Sequence, residues 1–360
     1  MKNLNKDEYK IKSKQMTVKP FVFTRPSVSS VSIRFIILLM LQVAMLAITK
    51  SYSALFVVSV STLGALVAAT IDFLINKSEP FKIMNMVIQG LLIGLLLPEN
   101  YPIVSVFIIS FVVLFVSKSF IFNKVNTWIN ISALAVVIAW FIGQKFYPDF
   151  LISSDLVGLK NSSVYLIQNG TFPICKLDSV ITSFLNNHIL RFFNTTIPEG
   201  FISMLWDTHS VIPAFRFNLL TIISSIVIFA DNSFSGIIPS IFLVVYSLLV
   251  RLFASFIFGG MFNQGDVLLA LLSSGTLFCT VFLLQWFGSF PMTLGGKITQ
   301  GIILGGLAFA ITGCGTSPIG MVYTILLGNI TTMMIRVIEE KHNNRVISKS
   351  YLNKTAQGEI

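Results

Sequence analysis

Gly265-Asp-Val-Leu-Leu-Ala-Leu-Leu-Ser-Ser-Gly-Thr-Leu-Phe278 decides the fold, read with Gly301-Ile-Ile-Leu-Gly-Gly-Leu307 and Gly313-Cys-Gly-Thr-Ser-Pro-Ile-Gly320 downstream of it. Each is an apolar run interrupted by small or hydroxylated residues. A lipid-facing backbone cannot leave N–H and C=O groups bare, so such interruptions survive only where protein covers them or a hydrated cavity lies beside them. The breaks at 273–276 and 313–318 are therefore candidate sites. Close helix packing through small residues is the competing explanation for each glycine.

Outward from this stretch, composition leaves one class open. The chain has 360 residues, of which 54% are hydrophobic and 11% charged, with a mean hydropathy of +0.82. A soluble fold has no way to cover that much apolar surface, so an all-α polytopic membrane protein is expected. The net charge of +10 resembles a nucleic-acid signal until it is placed. Lysines and Arg25 crowd the segment before the first apolar run, while Arg336, Lys341, Arg345, Lys349 and Lys354 follow the last. This is the positive-inside pattern, and its partner is an anionic leaflet rather than nucleic acid. The expected setting is a bacterial cytoplasmic (inner) membrane with both termini cytoplasmic.

Apolar runs able to cross a ~30 Å hydrocarbon layer number about ten, at 33–48, 54–75, 84–97, 104–120, 128–146, 217–230, 236–258, 267–287, 298–313 and 318–338. The resulting organisation is a cytoplasmic tail (1–30), a five-helix membrane repeat (31–147), an extracytoplasmic loop (148–215), a second five-helix repeat (216–338) and a cytoplasmic tail (339–360). Spans three and eight read as broken or half-length and hold the third place in each half. Spans five and ten each follow a polar approach. Two inverted repeats with their sites at the repeat interface are the economical reading. In the loop, Val180, Phe184, His188 and Arg191 recur at helical spacing, which predicts a short amphipathic helix over 177–193 with the role of a solvated connector lying on the bilayer surface.

The chemistry available to side chains is sparse. Asp72 reads as an interfacial carboxylate near the end of span two, and Arg251 stands deeper, within Leu248-Leu-Val-Arg251. Gln89 and Gln285 are able to bond across helices. There is no phosphate-binding loop, dinucleotide fingerprint or nucleophile elbow, and Cys175, Cys279, Cys314 and the three histidines show no metal-ligand spacing. Neither a catalytic side chain nor a metal site is expected. What remains is a cofactor carrier within a complex, a transporter or channel, or a structural subunit.

The order of motifs resembles the RnfD/NqrB family, the membrane subunits of Rnf-type and sodium-pumping NADH:quinone oxidoreductase complexes. The likeness runs through Gln89-Gly-Leu-Leu-Ile-Gly-Leu-Leu-Leu-Pro98, Asn130-Ile-Ser132, Leu272-Ser-Ser-Gly-Thr-Leu-Phe278, Gly301-Ile-Ile-Leu-Gly-Gly-Leu307, Gly315-Thr-Ser-Pro-Ile-Gly320 and Ile325-Leu-Leu-Gly-Asn-Ile330. The resemblance implies a ten-helix, urea-transporter-like fold of two inverted repeats. It also implies FMN joined through phosphate to a threonine on the outer side, with electron transfer coupled to Na+ or H+ movement. The partners it implies are the other subunits of such a complex and a flavin transferase.

Carried over residue by residue, the attachment threonine is Thr171 in Gln168-Asn-Gly-Thr-Phe-Pro173, and the flavin contacts are Asp207, Thr208, Ser274, Gly275 and Thr276. The family's acids are absent at Gln285-Trp-Phe287 and at Ser317-Pro-Ile-Gly320. The alternative is a divergent relative that moves a small solute or ion without redox chemistry. Its pathway would be lined by Gln89, Asn130, Ser273, Thr316, Asn329 and Arg251, with Ser274 and Thr276 at the break.

Overall fold

A computed structural model describes residues 27–76, 80–117, 128–149, 151–170, 172–230, 234–285 and 290–356, and every regular element among them is helical. In chain order the membrane body contains α1 (Val28–Ile48), α2 (Tyr52–Asn76), α3 (Pro80–Leu96), α4 (Ile103–Val116) and α5 (Ile131–Gly143). The connection carries α6 (Ser162–Gln168), α7 (Asp178–His188) and α8 (Phe201–Trp206). After it come α9 (Asn218–Ala230), α10 (Ile237–Leu249), α11 (Val267–Ser273), α12 (Thr276–Phe282), α13 (Leu294–Ile311) and α14 (Gly320–Ala356).

Five helices are long and apolar enough to cross a bilayer: Val28–Ile48, Tyr52–Ile75, Ile237–Ile257, Leu294–Ile311 and Gly320–Val346. Four more apolar segments are shorter, at Ile83–Leu96, Ile103–Val116, Ile131–Phe146 and Asn218–Ala230. The eighth expected span divides at Ser274-Gly275 into two helices of seven residues each, as its sequence requires. The ends are capped from the sequence itself. Ser27, Asn130, Asp266 and Thr293 accept the backbone N–H of Ser30, Ala133, Leu269 and Gly296 at 3.0–3.2 Å, covering donors that lipid would leave bare.

Glycine sets how closely the helices approach. A Cβ on Gly90 or Gly94 of α3 would lie 2.5–2.6 Å from Ala65 and Val58 of α2, and one on Gly301 or Gly305 of α13 would lie 2.8–2.9 Å from Ile241 and Val245 of α10. Backbones that touch in this way pack without a hydrophobic drive from water. Contacts in the two halves answer each other: α1 with α3 and α9 with α12, α2 with α4 and α10 with α13, α4 with α5 and α13 with α14. Across the halves, α1 meets α9 and α5 meets α14.

Two expectations are refined. Span three takes the half-length form and not the broken one: its apolar part is Ile83–Leu96, within a helix continuous over Pro80–Leu96, where Gly90 and Gly94 serve close packing on α2. The last helix does not stop near 338 but runs 37 residues to Ala356. Asp72, near the end of α2, is closed off from solvent by protein. The loop helix over 177–193 is found as α7 followed by a 3-10 turn at Leu190–Phe193.

Nor is the connection a solvated spacer throughout. It is stitched to helix ends around one face of the membrane body, here called the loop face. Leu151 N–H donates to Thr316 O (2.8 Å), Ser163 N–H to Asp266 Oδ2 (2.8 Å), Ser255 Oγ to Gly158 O (2.9 Å), Glu99 N–H to Val211 O (3.0 Å) and Arg216 Nη1 to Ser51 Oγ (2.5 Å).

Candidate functional site

The break between α11 and α12 is held by hydroxyl and amide side chains that take over the carbonyls the helix gives up. Ser273 Oγ donates to Leu269 O (2.6 Å) and Ser274 Oγ to Ala270 O, while Asn218 Nδ2 donates to Leu272 O (2.8 Å) and to Met204 O (3.3 Å). Gly275 makes the reversal with φ +66°, and the Phe215 ring lies over it so closely that a Cβ there would stand 1.9 Å from Cε1. At the far end of α12, Asn130 Nδ2 donates to Leu283 O at 3.1 Å while its Oδ1 caps α5. One residue thus ties the start of one half's last helix to the end of the other half's broken one.

The second break lies against the first. Gly313, Cys314 and Gly315 all take positive φ (55°, 60° and 99°), and a Cβ on Gly315 would lie 3.1 Å from Ala270 Cα. Its carbonyls are covered locally: Thr312 O accepts from Gly315 N (3.1 Å) and Ser317 N (3.0 Å), and Gly313 O from Thr316 Oγ1 (3.0 Å). Between the breaks sits a wholly buried set of hydroxyls, with Ser274 and Thr276 at 2.6 Å and Tyr246 and Thr312 at 3.3 Å. Satisfied in this way, the cluster rigidifies the break instead of leaving it ready to coordinate an ion.

On the loop face above Ser273 there is a pocket of about 210 Å³ lined by Pro148, Leu151, Phe172, Thr208, His209, Ser210, Val211 and Ser273. Its wall rests on a buried ion pair: Arg216 meets Asp207 through Nε–Oδ1 (2.9 Å) and Nη2–Oδ2 (2.6 Å). Asp207 Oδ1 also accepts His209 N–H (2.8 Å), and Thr208 Oγ1 donates to Phe215 O (2.8 Å). Arg216 therefore spends its charge inside the wall. Behind it, Asp178 gathers the loop: Thr182 Oγ1 (2.8 Å), Gly200 N (2.9 Å), Ser203 N (2.7 Å) and Ser203 Oγ (2.6 Å) all donate to it. Burial alone would raise that carboxyl, but the hydrogen bonds led by Ser203 outweigh it and hold Asp178 below its ordinary value.

The structure thus brings Thr208 and Ser273 into one pocket, puts Asp207 and Thr316 immediately behind it, and places Ser274, Gly275 and Thr276 at the break beneath it. Thr171 lies outside the described residues, although its neighbour Phe172 is in the pocket wall. Trp286 and Phe287 also fall outside them. Arg251 stands apart: it is exposed, on a π-turn at the end of α10, and donates to Gly265 O at 3.2 Å. Elsewhere in the body Gln89 Oε1, Ser132 Oγ and Asn329 Nδ2 are buried with no hydrogen-bond partner among the described residues. No group of three or more metal-ligating side chains occurs among those residues. Sequence reasoning missed Arg216, Asn218 and Tyr246. The first two had a signal, a cation and an amide at the entry to an apolar run.

Fold and site together define a multi-pass helical membrane protein built around a broken helix, with a small polar pocket on one face. The chain matches the family model described as the NQR2, RnfD, RnfE family over residues 15–345, and it belongs to that family. A search of curated proteins found no match. Membership makes it a membrane protein of the kind that forms subunits of Rnf/Nqr-type complexes.

Proposed function

We propose that this chain is the ion-translocating membrane subunit of an Rnf/Nqr-type electron-transport complex, and that its loop-face pocket receives FMN joined to Thr171. The observation that carries this reading is the meeting of Phe172, Thr208, His209, Ser210 and Ser273 around one pocket directly over the broken helix. At about 210 Å³ it is smaller than the ~300–1,000 Å³ typical of sites that enclose a drug-sized ligand, so it suits the phosphate and ribityl end rather than the whole group. Ser210 is the hydroxyl free to donate to a phosphate oxygen there, since Ser273 Oγ already donates to Leu269 O and Arg216 is already paired. Pro148, Leu151 and Val211 close the wall against water. Flavin, when bound, supplies the electron-transfer chemistry that no side chain here provides.

The matching contacts of the two halves support two inverted five-helix repeats. The basic tails support cytoplasmic termini in an inner membrane, which makes the loop face extracytoplasmic. Other subunits and a flavin transferase are the partners this function requires. In-gel ultraviolet fluorescence of the denatured chain tests the site: the wild-type band is expected to fluoresce and the Thr171→Ala band to lose at least ~90% of the signal, because a phosphoester link survives denaturation. Unchanged fluorescence in the variant refutes the assignment.

A second reading is favoured by one observation. Gln89, Ser132 and Asn329 are buried polar groups left with unused hydrogen-bonding capacity, which native interiors rarely permit without a water, ion or solute. On this reading they line a path for a small polar solute or ion. Asn329→Leu is then expected to lower sodium or urea uptake into proteoliposomes about tenfold, the equivalent of one lost hydrogen bond of ~1.4 kcal/mol. Wild-type uptake of both in that variant removes this reading.

A further inference from the structure

The part of the connection between Lys176 and Ile197 stands off the membrane body as a hairpin. It consists of α7 and the 3-10 turn Leu190–Phe193, and Asn186 closes it by donating Nδ2 to Ile197 O and accepting Ile197 N–H on Oδ1, both at 2.9 Å. The hairpin is ordered by these bonds and by Asp178 at its root, yet it buries almost none of its apolar side chains. Leu177, Val180 and Phe184 are more than half exposed, Phe193 is 72% exposed and Phe192 86%. On a membrane span such exposure is ordinary. Here it occurs beyond the helix ends, where water would otherwise be the solvent, and a rigid aromatic tip of this kind marks an interaction surface.

Three features identify what covers it. The root is level with the membrane body: α8, which Asp178 grips through Ser203, is bonded at Met204 O by Asn218 Nδ2, the same group that reaches the α11 break. The exposed charge on the hairpin is of one sign, since Lys176 and Arg191 are exposed and the hairpin's acid, Asp178, is buried. The element is also a short amphipathic helix of low overall hydrophobicity with Leu and Phe on one side and cations at its ends, the composition of segments that lie in a bilayer interface.

We propose that residues 177–193 form a monotopic anchor. The apolar face of α7 and the Phe192-Phe193 tip insert into the headgroup and acyl boundary of the leaflet on the loop face, and Lys176 and Arg191 meet its anionic headgroups. The anchor is coupled to the pocket by short links: Ser203 Oγ, which donates to Asp178, also accepts Cys175 N–H at 2.9 Å, three residues from Phe172 in the pocket wall. Insertion therefore fixes the depth of that wall relative to the bilayer. The proposal holds whether or not the chain carries flavin.

The full chain with Phe192→Cys in a Cys175→Ser background tests it after labelling with an environment-sensitive NBD dye; the remaining cysteines, Cys279 and Cys314, are buried. In vesicles of phosphatidylglycerol and phosphatidylcholine, emission is expected to be blue-shifted against the same dye at Lys160→Cys. Quenching by a lipid with a shallow nitroxide should exceed quenching by aqueous iodide at least twofold. Water-like emission with iodide quenching overturns the proposal. So does a dye shielded from both quenchers, which would assign the tip to a protein contact. Phe193→Cys gives the same comparison if the first variant does not accumulate.

Discussion

Gly275→Ala is expected to destabilise the chain by about 2–5 kcal/mol, the sum of two separate effects. The residue holds φ +66°, a conformation that costs a residue with a side chain about 1–2 kcal/mol. Its new methyl would also stand 1.9 Å from the Phe215 ring, and overpacking a closed site adds about 1–3 kcal/mol. The backbone cannot give way easily, because Ser273, Ser274 and Asn218 hold the carbonyls on its N-terminal side and Cys279 N–H holds Gly275 O at 2.9 Å. The measurement is the midpoint of unfolding in detergent, read by size exclusion after heating. Adding Phe215→Leu should recover the packing part and leave the backbone part. Gly306→Ala is the control: it sits inside α13 with nothing within 4 Å of a Cβ, so better helix propensity should make it neutral or stabilising by up to ~1 kcal/mol. Equal midpoints for Gly275→Ala and wild type would mean that the break is not built as described.

The same residue type explains what the sequence made legible and what it did not. Long apolar runs announced α1, α2, α10, α13 and α14, because a membrane helix must satisfy its own backbone and its length follows from the bilayer. Glycine was ambiguous. Gly90 and Gly275 look alike as interruptions, but Gly275 is flanked by Ser273, Ser274 and Thr276, whose hydroxyls accept the work of a broken helix, while Gly90 sits between Gln89 and Leu91 with no hydroxyl beside it in the chain. The hydroxyl neighbours, not the glycine, carry the signal for a break. The pocket was legible only in pieces. Thr208 and Ser273 were marked, but nothing local says that Asp266 will meet Ser163 or that Val211 will meet Glu99, since those pairs join distant parts of the chain. Arg251, isolated in an apolar run, left a paired role and a snorkelling one equally open, and its exposure fits the second, since a long cation reaches the surface along its own stem.

Arg216→Ala is expected to cost about 3–5 kcal/mol, the penalty for removing one partner of a buried ion pair and leaving the other charge uncompensated. Both side chains are nearly closed to solvent, at 7% and 4% exposure, and the contact is bidentate. Arg216 also reaches Ser51 in the turn between α1 and α2, so the lost cation loosens the first half from the second. Arg216→Lys should not restore wild-type stability, because an ammonium cannot meet both carboxylate oxygens and Ser51 from one position. Asp207→Asn combined with Arg216→Gln should be much milder than either charge removal alone, since no unpaired charge is left in the wall. A double-mutant cycle on unfolding midpoints in detergent measures the coupling. If each single variant unfolds with the wild type, the pair is not closed to water, and the wall of the loop-face pocket is looser than its geometry implies.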